Sequence, residues 1–134
     1  KDYQQQLLIR HLANDLNVPV EIRTCPTVRE PDGLALSSRN IYLSGDERQT
    51  ALAISRALRL AEEKCTTGQQ SPSSVRAAMI DMLNATPGLV LEYATIADAD
   101  SLVELDNPVT EMVALIAARV GKTRLIDNIR ITLR

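Results

Sequence analysis

Hydrophobic positions follow two rhythms along the chain. From residue 2 to 16, Leu7, Leu8, His11, Leu12 and Leu16 recur at helical spacing, which predicts an amphipathic helix that Asn17 can end, with Pro19 just beyond. Residues 18–23, Val-Pro-Val-Glu-Ile-Arg, then read as a short strand. A helix followed directly by a strand is the tail of an α/β unit. The rhythm breaks over residues 25–44, where Pro26, Pro31, Asp32-Gly33 and the pair Ser37 and Ser38 mark a long irregular loop. Loops of that length in a compact domain usually carry function. Ser44, with Glu47 three positions on, is a capping-box signature. It opens a long helix to about Thr66, with Ala51, Leu52, Ile54, Leu58 and Ala61 on one stripe. A polar connection over 67–71 leads to Ser71-Pro72, an N-cap with proline at the first helical position. Val75, Met79, Met82 and Leu83 face one way until Pro87-Gly88 stops that helix. The remaining apolar runs, 89–97, 112–120 and 123–133, read as strands. Gly121-Lys122 between the last two puts glycine at the first central position of a type II′ hairpin turn. The expected fold class is α+β: from about residue 44 onward, two helices on an antiparallel sheet of about three strands. No internal repeat or low-complexity segment interrupts this order.

Composition narrows the function classes. The 134 residues carry 45% hydrophobic and 24% charged side chains with a net charge of −2, which lacks the basic excess of a nucleic-acid binder. Three tyrosines and no Phe or Trp make base-stacking platforms poor candidates. Cys25 and Cys65 sit far apart with no CxxC and no neighbouring histidine, so two reduced thiols are expected rather than a disulfide or a metal site. No apolar run has the length of a membrane span, and no signal peptide opens the sequence; the expected location is cytoplasmic. The first residues, Lys1-Asp2, lack an initiator Met and suggest a fragment or a processed product.

Three places hold candidate chemistry. Lys1 and Asp2 precede the first helix, whose N-terminus offers unpaired N–H groups and positive potential to an anion. The structural alternative is an N-cap aspartate beside a solvated lysine. Gly33, Ser37, Ser38 and Arg39 share one loop and supply the parts of a phosphate cradle, with a forked guanidinium contact from the arginine. Without Walker-type spacing, a Ser-rich turn explains these residues equally well. The segment 123–128, Thr-Arg-Leu-Ile-Asp-Asn, reads as hairpin pairing and local satisfaction of backbone groups. His11 lies on the stripe of the first helix and reads as a packed or half-exposed histidine, and Arg59, Glu62, Glu63 and Lys64 as a solvated face.

Taken together, Lys-Asp-Tyr-Gln-Gln at 1–5, Thr-Val-Arg-Glu-Pro-Asp-Gly-Leu-Ala-Leu-Ser-Ser-Arg-Asn at 27–40 and Thr-Arg-Leu-Ile-Asp-Asn at 123–128 resemble the pantothenate synthetase family, in order along the whole chain. The resemblance implies ATP-dependent joining of pantoate and β-alanine through a pantoyl adenylate, with Mg2+ carried on the ATP phosphates. It implies that Lys1 contacts the transferring phosphate, Asp2 the ribose hydroxyls, Gln5 the pantoate, and the Val28 backbone the adenine edge. Leu36, Ser37, Ser38 and Arg39 are similar to the KMSKS-type loop of the nucleotidyltransferase superfamily and would grip the ATP phosphates. Leu36 stands where a Met also fits. Lys1 and Arg39 are thereby the catalytic candidates, and no residue is assigned to a metal. The implied organisation is the end of a Rossmann-like domain over 1–26, a hinge and phosphate loop over 27–43, and a C-terminal α+β lid over 44–134. The family's His-x-Gly-His-type signature has no counterpart, since His11 is the sole histidine and has other neighbours. The chain therefore reads as one wall of a site, inactive alone, from a parent enzyme expected to dimerise through its N-terminal domain.

A non-catalytic α+β module for structure or partner contact is the rival. The two separate on one point: the enzyme reading requires Lys1, Ser37, Ser38 and Arg39 to converge on one anion, and an Arg39 paired with a local carboxylate and pointing away from Lys1 would remove that site. No nucleic-acid or membrane partner is expected; a nucleic-acid role would show as binding that fades steeply with salt.

Overall fold

The computed structural model describes residues 1–68 and 70–133. Gln69, in the expected polar connection, and Arg134, at the end of the expected lid domain, lie outside the described residues. The element order is α1 (Tyr3–Asp15), a 3-10 turn (Ser38–Tyr42), α2 (Gly45–Thr66), α3 (Pro72–Asn84), β1 (Leu89–Asp98), β2 (Glu111–Val120) and β3 (Thr123–Thr132).

Helix starts and stops follow their local chemistry. Asp2 caps α1 by accepting from the Gln5 N–H at 3.1 Å. At the other end Asn17 takes the left-handed conformation (φ 49°). The Asn17 N–H donates to the Asn14 carbonyl at 3.0 Å and the Val18 N–H to the Ala13 carbonyl at 2.9 Å, a Schellman motif. The capping box of α2 is complete: the Glu47 N–H donates to Ser44 Oγ at 3.2 Å and the Ser44 N–H to Glu47 Oε2 at 2.8 Å. Ser71 caps α3 with Pro72 at its first turn.

The predicted stripe of α2 is the floor of the core. Ala51, Ala57, Leu58 and Ala61 are fully buried, and the alanines let α3 and the sheet approach closely. Val75, Met79 and Leu83 of α3 meet them from one side, and Met112, Ile116 and Val120 of β2 from another. The sheet order is β1-β2-β3, antiparallel throughout. Val120 pairs with Thr123, and φ is positive at Gly121 (57°) but not at Lys122, as a type II′ turn requires. Residues 112–118 of β2 are buried on both faces, because a second cluster of Ala97, Val113 and Leu115 takes Tyr3, Tyr93 and Leu102 against it. Through the Tyr3 hydroxyl, which donates to the Ala99 carbonyl at 2.9 Å, the start of α1 is tied to this face of the sheet.

Two expectations are corrected. Residues 18–23 form no strand. A strand needs a neighbour for its N–H and C=O groups, and no described strand lies beside these residues, whose Val18 and Val20 are exposed. Residues 25–44 are also more ordered than an irregular loop. Arg29 pairs with Ala35, the Leu36 N–H donates to the Val28 carbonyl at 2.9 Å, and a turn over 30–33 closes this short ladder before the 3-10 turn begins. Gly33 is required there: it sits at φ 94°, and a Cβ would meet the Arg59 guanidinium at 2.9 Å. The leucines expected on the α1 stripe divide: Leu7 is buried, while Leu8, Leu12 and Leu16 are exposed. His11 is exposed as well, not packed, and both cysteines are free, Cys25 exposed and Cys65 buried.

Candidate functional site

The site is built around one clamp between the loop and the last strand. Arg29 donates to Asp127 twice, from one terminal nitrogen at 2.7 Å and from the other at 3.1 Å, and also to the carbonyls of Gly33 (3.2 Å) and Asn128 (3.3 Å). Only 5% of the Asp127 side chain and 23% of Arg29 is exposed, so the bidentate pair operates with little solvent screening. Asp127 also accepts from the Asn128 N–H at 2.8 Å, and the Asn128 side chain donates to the Lys1 carbonyl. The start of α1, the loop and β3 are thereby fastened at one point.

A second network holds the loop from the other side. Arg48 of α2 contacts Glu30 at 2.7 Å and Asp32 at 2.8 Å, while Asn40 donates to Glu30 at 2.9 Å and to the Ala35 carbonyl at 3.1 Å. The hydrogen bond from Arg48 lowers the Glu30 pKa, and the Leu34 backbone N–H lowers that of Asp32. Ser37 then caps the 3-10 turn, accepting from the Arg39 N–H at 3.3 Å.

Arg39 adds to the electrostatic surroundings of Lys1, although the two line different clefts. Burial lowers the Lys1 ammonium from its ordinary pKa; Asp127 and Asp2 oppose this, and the charges of Arg39 and Arg29 add to it. The lysine therefore sits in a field where a further anion relieves repulsion from two guanidinium groups. Among the described residues neither Arg39 nor Lys122 joins an ion pair. Arg39 is exposed and lines a cleft of about 720 Å3 with Tyr42, Glu47, Gly121, Lys122, Thr123 and Arg124. Lys1 and Asp2 line a second cleft of about 410 Å3 with Arg10, Thr24 and Arg29, and a recess of about 100 Å3 with Tyr93, Arg124 and Asp127.

Other candidate residues stand apart from these clefts. Gln5 and Ser38 are exposed, as are the side chains of Val28 and Leu36, while Ser37 is half-buried. The Val28 N–H makes no hydrogen bond among the described residues. Asp2 has one carboxylate oxygen committed to the helix cap. Segment 123–128 does more than the expected hairpin pairing. Thr123 closes the hairpin and Asp127 satisfies a local N–H, but Asp127 also anchors Arg29 across 98 residues. Sequence reasoning missed Arg29, Asp127 and Asn128 as site-building residues. One signal was available: Thr123, Leu125, Asp127 and Ile131 alternate on the inward face of β3, and an aspartate in that series needs a cationic partner.

Among the described residues no group of three His, Cys, Asp or Glu side chains could hold a metal ion, and no helix is long and apolar enough to cross a membrane. The cleft beside Arg39 gathers Arg39, Lys122 and Arg124 against the single carboxylate of Glu47, and guanidinium and ammonium groups are suited to phosphate oxygens.

Comparison with known proteins agrees with this chemistry. The family model described as pantoate-beta-alanine ligase matches residues 1–130. A pantothenate synthetase of Roseiflexus sp. (strain RS-1) is 48% identical over 128 residues, covering 96% of this chain and 46% of that protein. One from Rubrobacter xylanophilus is 51% identical over 132 residues, covering 96% of this chain and 44% of its own length. The chain thus spans just under half the length of the curated relatives it matches. The crystal structure of pantothenate synthetase from Thermus thermophilus superposes with a TM-score of 0.91 at 41% identity, over 96% of this chain and 46% of that one. A pantoate-beta-alanine ligase from Francisella tularensis, complexed with beta-gamma ATP and beta-alanine, gives a TM-score of 0.59 at 29% identity, over 96% of this chain and 40% of that one.

Proposed function

Since the chain belongs to the pantoate–β-alanine ligase family, we propose that it forms one wall of the ATP site in an enzyme that joins pantoate to β-alanine. The observation that carries this reading is the Arg29–Asp127 clamp, which fastens the loop bearing Arg39, an arginine in no ion pair among the described residues, to the strand whose Asn128 holds the Lys1 carbonyl. An Arg39 paired with a local carboxylate would remove the site, and it is not what surrounds this arginine.

The reaction proceeds in two transfers. A pantoate carboxylate oxygen bonds to the α-phosphorus of ATP while the bond to the bridging α–β oxygen breaks, and pyrophosphate leaves. The β-alanine amine then attacks the acyl carbon, AMP departs as the acyl–oxygen bond breaks, and the amine loses a proton as the amide forms. Negative charge shifts toward the leaving pyrophosphate in the first transfer, so fixed cations lower its barrier. Lys1 supplies one such charge at the transferring phosphate. Leu36, Ser37, Ser38 and Arg39 hold the phosphate tail through backbone, hydroxyl and guanidinium donors; the Ser37 hydroxyl can still donate while it accepts at the cap. The free oxygen of Asp2 suits ribose hydroxyls, the unpaired Val28 N–H suits an adenine nitrogen, and Gln5, one turn beyond Lys1, faces pantoate. The donor set is cationic, so Mg2+ would arrive on the ATP phosphates rather than on side chains of this chain.

In this reading residues 1–26 end a Rossmann-like domain, 27–43 form hinge and phosphate loop, and 44–134 form a lid that excludes water from a hydrolysable adenylate. The remainder of the site, including the histidine signature, belongs to the other part of the enzyme. The test is pantoate-dependent exchange of labelled pyrophosphate into ATP, with and without a separately produced N-terminal half of a relative. Exchange only on mixing is expected. Exchange by this chain alone, or none on mixing with a correctly folded half, removes the reading.

A further inference from the structure

We propose that the cleft between the 3-10 turn and the β2–β3 hairpin is a polyphosphate site in which Lys122 and Arg124 extend the cationic line begun by Lys1 and Arg39. Its ligand class is the terminal phosphates of a nucleotide and, after transfer, free pyrophosphate; in that respect it rests on the reading above. Lys122 lies outside the motifs that carry the resemblance, and Arg124, inside the motif at 123–128, is given no role by it.

Three observations converge. The cleft is lined by Arg39, Lys122 and Arg124 against one carboxylate, Glu47, in a chain whose net charge is −2. That carboxylate is engaged: one Glu47 oxygen accepts from the Ser44 N–H, and the other lies against Gly121, where an added Cβ would stand 1.9 Å from it. Arg39 and Lys122 join no ion pair among the described residues, so the cleft holds three cations against the single lining carboxylate. Arg124, furthermore, lines both this cleft and the recess that Lys1 lines, so the two openings share a wall. Its Nε is 2.7 Å from Glu92, whose other oxygen meets Arg119 at 3.0 Å, a contact that aims Arg124 and leaves its terminal nitrogens as donors. The volume of about 720 Å3 falls within the range of small-molecule sites.

Backbone geometry fixes Lys122 in place. It occupies the second central position of a two-residue turn, so its Cα is held by the Val120–Thr123 pair while its side chain stays exposed. The hairpin thereby places the ammonium within reach of the cleft while the lysine stem stays free to adjust to an anion.

The test titrates this chain with inorganic pyrophosphate, tripolyphosphate and orthophosphate by calorimetry, following the amide signals of residues 121–124. The two polyphosphates are expected to bind more tightly than orthophosphate. Lys122→Gln should weaken tripolyphosphate by about tenfold, the loss of one charge-assisted contact. Lys64→Gln, near the other end of α2, should leave it unchanged, with thermal melts confirming that both variants fold. Absence of binding, or equal affinity of Lys122→Gln and the parent chain, overturns the proposal. So does an equal loss in Lys64→Gln, which would mark general charge attraction. The two readings fail separately: pyrophosphate exchange on mixing with no effect of Lys122→Gln on binding sinks the cleft alone, whereas polyphosphate binding without exchange sinks the ligase reading and leaves an anion site.

Discussion

Replacing Asp127 by Asn keeps the side chain's size and removes the charge that two Arg29 nitrogens grip at 2.7 and 3.1 Å. Removing one partner of a buried pair leaves an uncompensated charge at about 3–5 kcal/mol. Arg29 retains 23% exposure of its side chain and two carbonyl acceptors, so the lower end applies, about 3 kcal/mol. For a chain of 134 residues that is a fall of about 10 °C in melting temperature. Thermal melts by circular dichroism measure it directly. A cycle with Arg29→Met separates the pair from its surroundings: the double variant should lose about 1–3 kcal/mol less than the two single losses added together. The same substitution removes the largest influence that raises the Lys1 pKa, so the ammonium should titrate lower still, as read from the Nζ resonance against pH. An Asp127→Asn melt within about 2 °C of the parent, with strictly additive losses, would refute the claim that this clamp organises the site.

Gly121→Ala should destabilise the hairpin and the α2 start together, by about 1–3 kcal/mol in urea unfolding, because φ is 57° and the new Cβ would displace the Glu47 carboxylate from its cap. Stability should hold above the ordinary carboxylate range and fall as pH drops through the lowered pKa values of Glu30 and Asp32, below about pH 4. The sign follows from folded-state depression: protonation of Glu30 is coupled first to releasing Arg48, and that of Asp32 first to releasing the Leu34 N–H and then Arg48. Arg48→Met should flatten that acid limb; an unchanged acid limb would show that the network contributes nothing. Native labelling with a thiol reagent should modify Cys25 promptly and Cys65 only on unfolding, since burial raises the Cys65 pKa and encloses its sulfur.

Local rules account for much of this fold. Ser44 with Glu47, Ser71 with Pro72, and Asn17 state their helix ends within a few residues of sequence, and each appears as written. The alternation at Gly121-Lys122 likewise settled the hairpin register. Residues 18–23 misled because strand propensity describes side chains suited to a sheet, whereas a strand also needs a neighbour to bond. Leu8, Leu12 and Leu16 kept helical period without burial, since periodicity marks a face and not what covers it. The resemblance named Lys1 and Arg39 as site candidates, and Arg39 joins no ion pair among the described residues. What it passed over was the Arg29–Asp127 clamp, a partnership between two quoted motifs with nothing local in either to announce the other.

The separation of 98 residues between those partners sets an order of events in folding. Closing a loop of that length costs about 4 kcal/mol in chain entropy from its length alone, at least what the pair returns. Arg29 and Asp127 therefore cannot find each other first. Pairing of β2 with β3 on α2, which is closer in sequence, precedes closure of this clamp. During synthesis, residues 27–40 leave the ribosome long before Asp127 is made. The short Arg29–Ala35 ladder and the Arg48 contacts can form locally, but the tether of this loop to β3 must wait for an aspartate nearly a hundred residues downstream.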